Sequence, residues 1–490
     1  MFNVQRLLRD KLEPVVDAMR PGGSGDPFAG LDSHEREELA TLYRLGFPQG
    51  DEHMIAAPMG QIWLWSSIAD QLVEQDPGYF EQFWTAPGYV GHDLPSAVQD
   101  DVIDLVTRVD RVVTVGELLQ DPAYAGPEFE LIRNTALIMA ATAGADLPFA
   151  VELRGLPGGY RLGAQLRLTG GDAAGRTLYC TGTAGDLLTA DGHGEANLNR
   201  FRGVRPGDEI HVDNRRFLAF CYFHRHHLMD DPQFDALRVG GMPVYPQHPV
   251  PLMSPLMGVS YTGHYEGKLL WIHHTHDSSL WPPQGIIYAD AVRRAQGEEG
   301  ARENFRLQWT ENAEHVPPQF IPHAPARSCD TWLVDYFPII EQGLADLIAW
   351  VEDGVAPSGT RFEYSQGQVA LPSSAADRGG VQPVVAVTAN GGVRTEVKPG
   401  DPVTLEVDAQ APPAGGTIIS AEWDFDGTGA FPFRHEVEGT NTAVRLSTTH
   451  VYDAPGTYFV TARVSAHRDG DVDTRYRRLT NVASARVVVR

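Results

Sequence analysis

At 490 residues, 42% hydrophobic and 21% charged, the chain has the length for two to four domains and the composition of an ordinary globular protein, which excludes wholesale disorder. Its formal charge of −25 works against nucleic acid and anionic membranes as partners, because both are held by Lys and Arg. The three cysteines, Cys180, Cys221 and Cys329, are far apart and odd in number, so neither a disulfide framework nor a Cys-x-x-Cys metal knuckle follows.

The first ten residues, Met1 to Asp10, lack the apolar core and small-residue cleavage site of a secretory signal. Read as written, the chain is expected in the cytoplasm; a start further upstream would make a secreted protein. No apolar run reaches the ~18 residues that a membrane helix needs. Residues 3–19 carry Val4, Leu7, Leu8, Leu12, Val15 and Val16 at helical spacing, and Pro21 to Gly25 ends that pattern. A second helix is expected over 33–45 with Ser33 as its N-cap, and a third over 62–74. The aromatic and proline-dense run from Asp76 to Tyr89 reads as a packed loop or lid. Gln99–Val109 is expected to be helical, Val112–Val115 extended, and Glu128–Ala141 helical. From Phe149 to Phe223 the pattern changes to alternation with Gly-rich turns, including a strand over Phe217–Phe220. It ends in Phe223-His-Arg-His-His-Leu228, where a strand would put His224 and His226 on one face.

The stretch richest in chemistry is Gly267-Lys-Leu-Leu-Trp-Ile-His-His-Thr-His-Asp277, followed by a helix over Ile286–Gln296, a strand over Phe305–Trp309 and a loop holding His315. An Asp after one parallel strand and a His after the next face each other at the carboxyl ends of an open sheet. The carboxylate then fixes the imidazole tautomer and stabilises the imidazolium. Asp277 and His315 are therefore the candidate catalytic pair, with His224, His226, His276 and Trp281 as candidate substrate contacts. The plain structural reading gives Asp277 a capping role and His315 an ordinary loop position. The order of elements, with Trp350-Val-Glu-Asp-Gly-Val-Ala-Pro357 closing a helix over 334–353, resembles the C-terminal part of an α/β-hydrolase of the tannase and feruloyl-esterase branch over residues 267–357. That resemblance implies an α/β fold, hydrolysis of a small-molecule or polymer ester, and no cofactor. It also requires a nucleophile, and no Gly-x-Ser-x-Gly elbow is present; Ser260 in Gly258-Val-Ser260 is the nearest string. Two other functions compete: a catalytically degenerate binding or scaffold protein, and a metal-dependent hydrolase built from the histidine clusters and Asp277.

Beyond a connector over 358–382, the chain is all-β in pattern from Pro383. Trp423-Asp-Phe-Asp-Gly427 and His450-Val-Tyr-Asp-Ala-Pro-Gly-Thr-Tyr-Phe-Val-Thr461 stand in the order and spacing of a PKD domain, and residues 383–490 are identified as a member of that immunoglobulin-like β-sandwich family. The resemblance implies a spacer or adhesion module with protein or glycan contacts, and makes Asp424 and Asp426 turn-formers instead of calcium ligands. The expected organisation is a helical or α/β front part over 1–148 with a lid-like aromatic segment, a β-rich insertion over 149–228, the α/β-hydrolase-like half over 229–357, the connector and the sandwich.

Overall fold

The computed structural model describes residues 1–56, 59–230, 232–250, 262–321 and 327–490. The chain forms two compact units, residues 1–9 with 54–260 and residues 10–53 with 261–490. The helical pattern over 3–19 is accordingly interrupted: Phe2–Leu8 and Leu12–Met19 are separate α-helices, and Arg9 between them has φ 27°.

The first unit is built on a closed six-stranded barrel, β1 (Asp104–Thr114), β2 (Pro148–Leu153), β3 (Gln165–Leu168), β4 (Thr177–Ala184), β5 (Leu187–Asp191) and β6 (Glu209–Asp213), in the order β1-β2-β5-β4-β3-β6. Val109, Val151, Leu166, Leu178, Leu188 and Ile210 fill its core. The β-rich region thus begins at Asp104, 45 residues before Phe149. The helix expected over Gln99–Val109 is a single 3-10 turn over Gln99–Asp101 followed by β1. Its β-branched residues suit a pleated surface, and pairing of Asp104 to Arg108 with β6 and of Val109 to Thr114 with β2 outweighs the local pattern. The strand expected over Phe217–Phe220 is instead the helix Arg215–Phe220. The buried Asn214 side chain explains the switch. It accepts from Ile103 N and donates to the Asp101 and Tyr160 carbonyls, turning the chain out of β6. A long helix, Met59–Gln75, sends the fully buried Trp65 onto this region, where its indole N–H bonds the Gly163 carbonyl and its ring stacks on Phe220 at 4.6 Å. Gly163 has φ 71°, and a Cβ there would run into the Phe217 ring. The aromatic run after Asp76 is the helix Pro77–Thr85, with Tyr79 and Phe83 fully buried.

The second unit opens with Leu12–Met19 and Ser33–Arg44. The latter is capped by Asp32 and not Ser33: the Asp32 carboxylate accepts from His34 N and Glu35 N, and Glu35 returns a bond to Asp32 N. β7 (Leu269–His274) and β8 (Phe305–Thr310) are parallel neighbours, in register from Leu269 with Phe305 to His274 with Thr310. The connecting helix, Pro283–Asn304, breaks at Gly297, φ 73°. Among the described residues this parallel sheet has two strands, so the further strands of an α/β-hydrolase sheet are not among them. A helix over Phe337–Asp353 follows and ends on Gly354 in the left-handed conformation. The connector holds a hairpin, Glu363–Ser365 with Gln368–Ala370, whose Gln368 amide donates to the Tyr43 and Phe47 carbonyls.

The sandwich pairs a three-stranded sheet, β9 (Val384–Ala389), β11 (Pro402–Gln410) and β14 (Ala443–Val451), with a five-stranded one ordered β10-β16-β15-β12-β13, where β10 is Arg394–Val397, β12 Thr417–Asp424, β13 Phe433–His435, β15 Gly456–His467 and β16 Leu479–Val489. Val403, Leu405, Val407, Trp423, Val460 and Val464 lie between the sheets. Polar contacts tie the sandwich to the rest of its unit. Arg378 and Asn481 converge on the Glu311 carboxylate, Arg468 pairs with Asp346, and Arg486 with Asp17.

Candidate functional site

The loops that follow β7 and β8 are joined by backbone bonds, Thr275 N to Thr310 O and His276 N to Ala313 O, each 3.0 Å. Asn312 N adds a bond to Thr275 Oγ1. This pairing places Asp277 opposite His315, and His315 Nδ1 donates to Asp277 Oδ2 at 3.1 Å. The other carboxylate oxygen, Oδ1, accepts from Ser279 N at 3.0 Å and Leu280 N at 2.6 Å, which fixes the plane of the group. The Tyr336 hydroxyl holds the His315 carbonyl at 2.9 Å. Asp277 is buried, whereas the His315 side chain is 42% exposed. The bond to Asp277 raises the His315 pKa above its ordinary value, more than burial opposes it. With Nδ1–H committed to Asp277, the neutral ring presents a bare Nε2, the arrangement of an oriented general base.

Beneath the pair lies a group of acids that nothing in the local sequence marks. Asp51 and Glu52 are fully buried, as is Glu314. Burial and the neighbouring Glu314, Glu52 and Asp277 push the Asp51 carboxyl well above its usual range. Burial carries Glu52 up to about 7, although Gly50 N and the Tyr43 hydroxyl bond it. Glu314 is raised as well, by burial and Asp277, while its carboxylate accepts from Ser278 N and Oγ and from Val316 N. Groups with folded pKa values above their unfolded ones stabilise the fold fully below the unfolded value, and that contribution is lost as pH rises through the folded value. Stability should therefore fall between about pH 4.5 and 7, the Glu52 share being about 3 kcal/mol. Thermal melts at pH 5 and pH 8 check this: Glu52→Gln should narrow the gap in Tm, and an unchanged gap would count against a protonated Glu52.

The remaining predicted contacts have other surroundings. His276 is half-buried, its pKa pushed down to about 4 by desolvation, and its Nδ1 meets Thr275 Oγ1 at 3.0 Å. It lines a cleft of about 350 Å³ with Glu52, Glu311, Asn312, Arg327 and Trp332. Trp281 is a local strut: its indole N–H donates to Ser278 O at 2.8 Å and its ring packs edge-on to Phe47. His273 and His274 contact the Trp281 and Glu314 carbonyls. His224 and His226 belong to the first unit and lie on a helix, Phe223–His226. Residues two apart point to different sides of a helix, so the shared face that a strand would have given them does not form. Burial lowers the pKa of His224 far below its usual range and that of His226 to about 4. Ser260 lies outside the described residues. Sequence reasoning missed Asp51, Glu52, Glu314 and Tyr336, which no local motif marks.

In the sandwich, Asp424 Oδ1 accepts from Asp426 N and Gly427 N, Asp426 receives the Thr428 hydroxyl, and the Tyr452 hydroxyl bonds the Phe425 carbonyl. Both acids shape the turn after β12. A search of curated proteins returns no match to the chain. Among solved structures, the crystal structure of the CARDB domain of a Pyrococcus furiosus protein in complex with di-metal ions is 19% identical, covers 22% of this chain and 92% of its own, and has a TM-score of 0.17. The solution NMR structure of that domain is 21% identical, with 22% and 96% covered and a TM-score of 0.17. Residues 381–480 match the family model of the PKD domain, and the chain ends in a PKD-type β-sandwich.

Proposed function

We propose that the second unit hydrolyses esters, with His315 as general base and Asp277 as the carboxylate that orients it. The single observation that carries this reading is the 3.1 Å bond from His315 Nδ1 to an Asp277 carboxylate already fixed by two backbone amides, beside the ends of two parallel strands. His315 Nε2 takes the proton of the attacking hydroxyl as its oxygen bonds the acyl carbon. It then returns that proton to the departing alcohol oxygen, and Asp277 steadies the imidazolium between the two steps. The Trp350–Pro357 string and its resemblance to the tannase and feruloyl-esterase branch support an ester as substrate class. The PKD sandwich would bring the unit to a protein or glycan surface.

The test is turnover of p-nitrophenyl acetate. His315→Ala should lower kcat/KM by about 10²–10⁴-fold, the usual contribution of a positioned acid–base group. Full activity in that variant would remove the proposal, and a wild-type chain without turnover would favour a binding or scaffold role. Labelling by a fluorophosphonate distinguishes a serine nucleophile from an activated water.

A further inference from the structure

In the first unit, three side chains from distant parts of the sequence converge on one carboxylate oxygen. His227 Nε2 lies 2.8 Å from Asp76 Oδ2, and His248 Nδ1 lies 2.9 Å from the same atom. All three atoms are mutually within 4.8 Å, and the three side chains are 3%, 12% and 14% exposed for His227, His248 and Asp76. Asp76 is the N-cap of Pro77–Thr85, and its other oxygen accepts from Tyr79 N at 3.0 Å, so the carboxylate is held in place. Bonds from His248 N to His226 O and from the Gln247 amide to Arg225 O clamp the His248 segment against the histidine run.

The hydrogen positions follow from the partners. His227 Nδ1 is 2.9 Å from the Phe223 carbonyl, which only accepts, so Nδ1 carries the proton. In the neutral ring Nε2 is then a bare lone pair pointed at a carboxylate oxygen. Two acceptors at that distance repel unless a cation sits between them or the ring is an imidazolium. His248 repeats the pattern. Its Nε2 meets the Tyr89 hydroxyl at 2.7 Å, and that hydroxyl has its own acceptor in Gln82 Oε1 at 3.2 Å. A proton on Nε2 for Tyr89 leaves Nδ1 bare toward Asp76. Metal-ligating histidines characteristically donate their second N–H to a carbonyl or hydroxyl in this way. Alongside, His226 stacks on Tyr89 at 4.3 Å, and its buried Nε2 has no hydrogen-bond partner among the described residues. Among the described residues no Lys or Arg neutralises Asp76. A second cluster, Asp104, His211 and Asp213, differs in both respects: it is more exposed, and Arg215 bridges both its acids.

We infer that Asp76, His227 and His248 form a binding site for a divalent transition-metal cation of the zinc type. Two imidazoles and one carboxylate suit such an ion. Zinc bonds of 2.0–2.1 Å set tetrahedral ligands about 3.3 Å apart, so each imidazole nitrogen needs to move away from Asp76 Oδ2 by about half an ångström. The site lies in the first unit and does not depend on the ester-hydrolase reading of the second.

The experiment uses the full chain, stripped with chelator, re-equilibrated with zinc, desalted and assayed for metal content. Equimolar uptake is expected, falling to trace in His248→Gln and in Asp76→Asn, a variant that keeps the helix cap. His211→Ala should leave uptake unchanged. Tyr89→Phe should weaken zinc affinity by about 10–100-fold, as loss of a group that orients a ligand does. Cobalt(II) should give the intense visible band of a tetrahedral site in the wild type and not in His248→Gln. Absence of equimolar uptake by a folded wild-type chain, or uptake that survives both His248→Gln and Asp76→Asn, would overturn the site.

Discussion

Asp277→Asn should lower kcat/KM for p-nitrophenyl acetate by about 10⁴-fold while the chain stays folded, the size of loss expected when a triad carboxylate becomes an amide. The amide oxygen can keep the bonds to Ser279 N and Leu280 N, so the loop geometry has no reason to change. The amide nitrogen then faces His315 Nδ1 as a donor. The ring answers with the opposite tautomer, Nδ1 accepting and Nε2 protonated, and the base is gone. The pH profile gives a second reading of the same bond. Asp277 raises the His315 pKa, so the wild-type acid limb should lie above the ordinary histidine value of about 6.5. Without the carboxylate the imidazolium loses its stabilisation, and the limb of any residual activity should move to lower pH. Steady-state rates across pH, with circular dichroism to confirm folding, check both. A variant with wild-type rate and an unmoved limb would show that the pair takes no part in turnover.

Trp423→Ala should destabilise the sandwich by about 3–5 kcal/mol, the cost of deleting a large buried aromatic when its neighbours only partly close the gap. Trp423 is fully buried on β12 among Val403, Leu405, Val460 and Val464, and its ring lies parallel to Phe425 at 6.4 Å. Two units with separate cores need not unfold together, so hydrogen exchange over Thr417–Asp424 and Gly456–His467 measures the loss where it occurs. Protection reduced by less than about 1 kcal/mol would mean that the two sheets can close over the cavity. The sandwich is also tied to its unit through Glu311 and Asp346, so the variant should loosen the Glu311 loop that precedes His315.

How much could be read in advance depended on whether the deciding interaction was local. Period-2 alternation with turn motifs marked the sandwich, because half-buried strands must alternate, and the Trp423 and His450 strings narrowed it to one family. The β7–helix–β8 unit was legible for a similar reason: apolar runs of strand length bracket one helical run, and Asp277 and His315 stand just past the strand ends. The elements at Gln99 and Phe217 were not. There the outcome rests on β1 pairing with β2 and β6, and on the three hydrogen bonds of Asn214.

The sequence by itself determined the strand–helix–strand order after Gly267, the PKD sandwich, and the placement of an acid and an imidazole at successive strand ends. Tertiary structure alone decided which titratable groups share a site. Asp51 reaches Glu314 from more than 250 residues away, and Asp76 meets His227 across about 150 residues and His248 across about 170. A short period in the chain records which face of an element is buried. It holds no record of which distant carboxyl is buried beside which imidazole, because that pairing exists only once the intervening chain has packed.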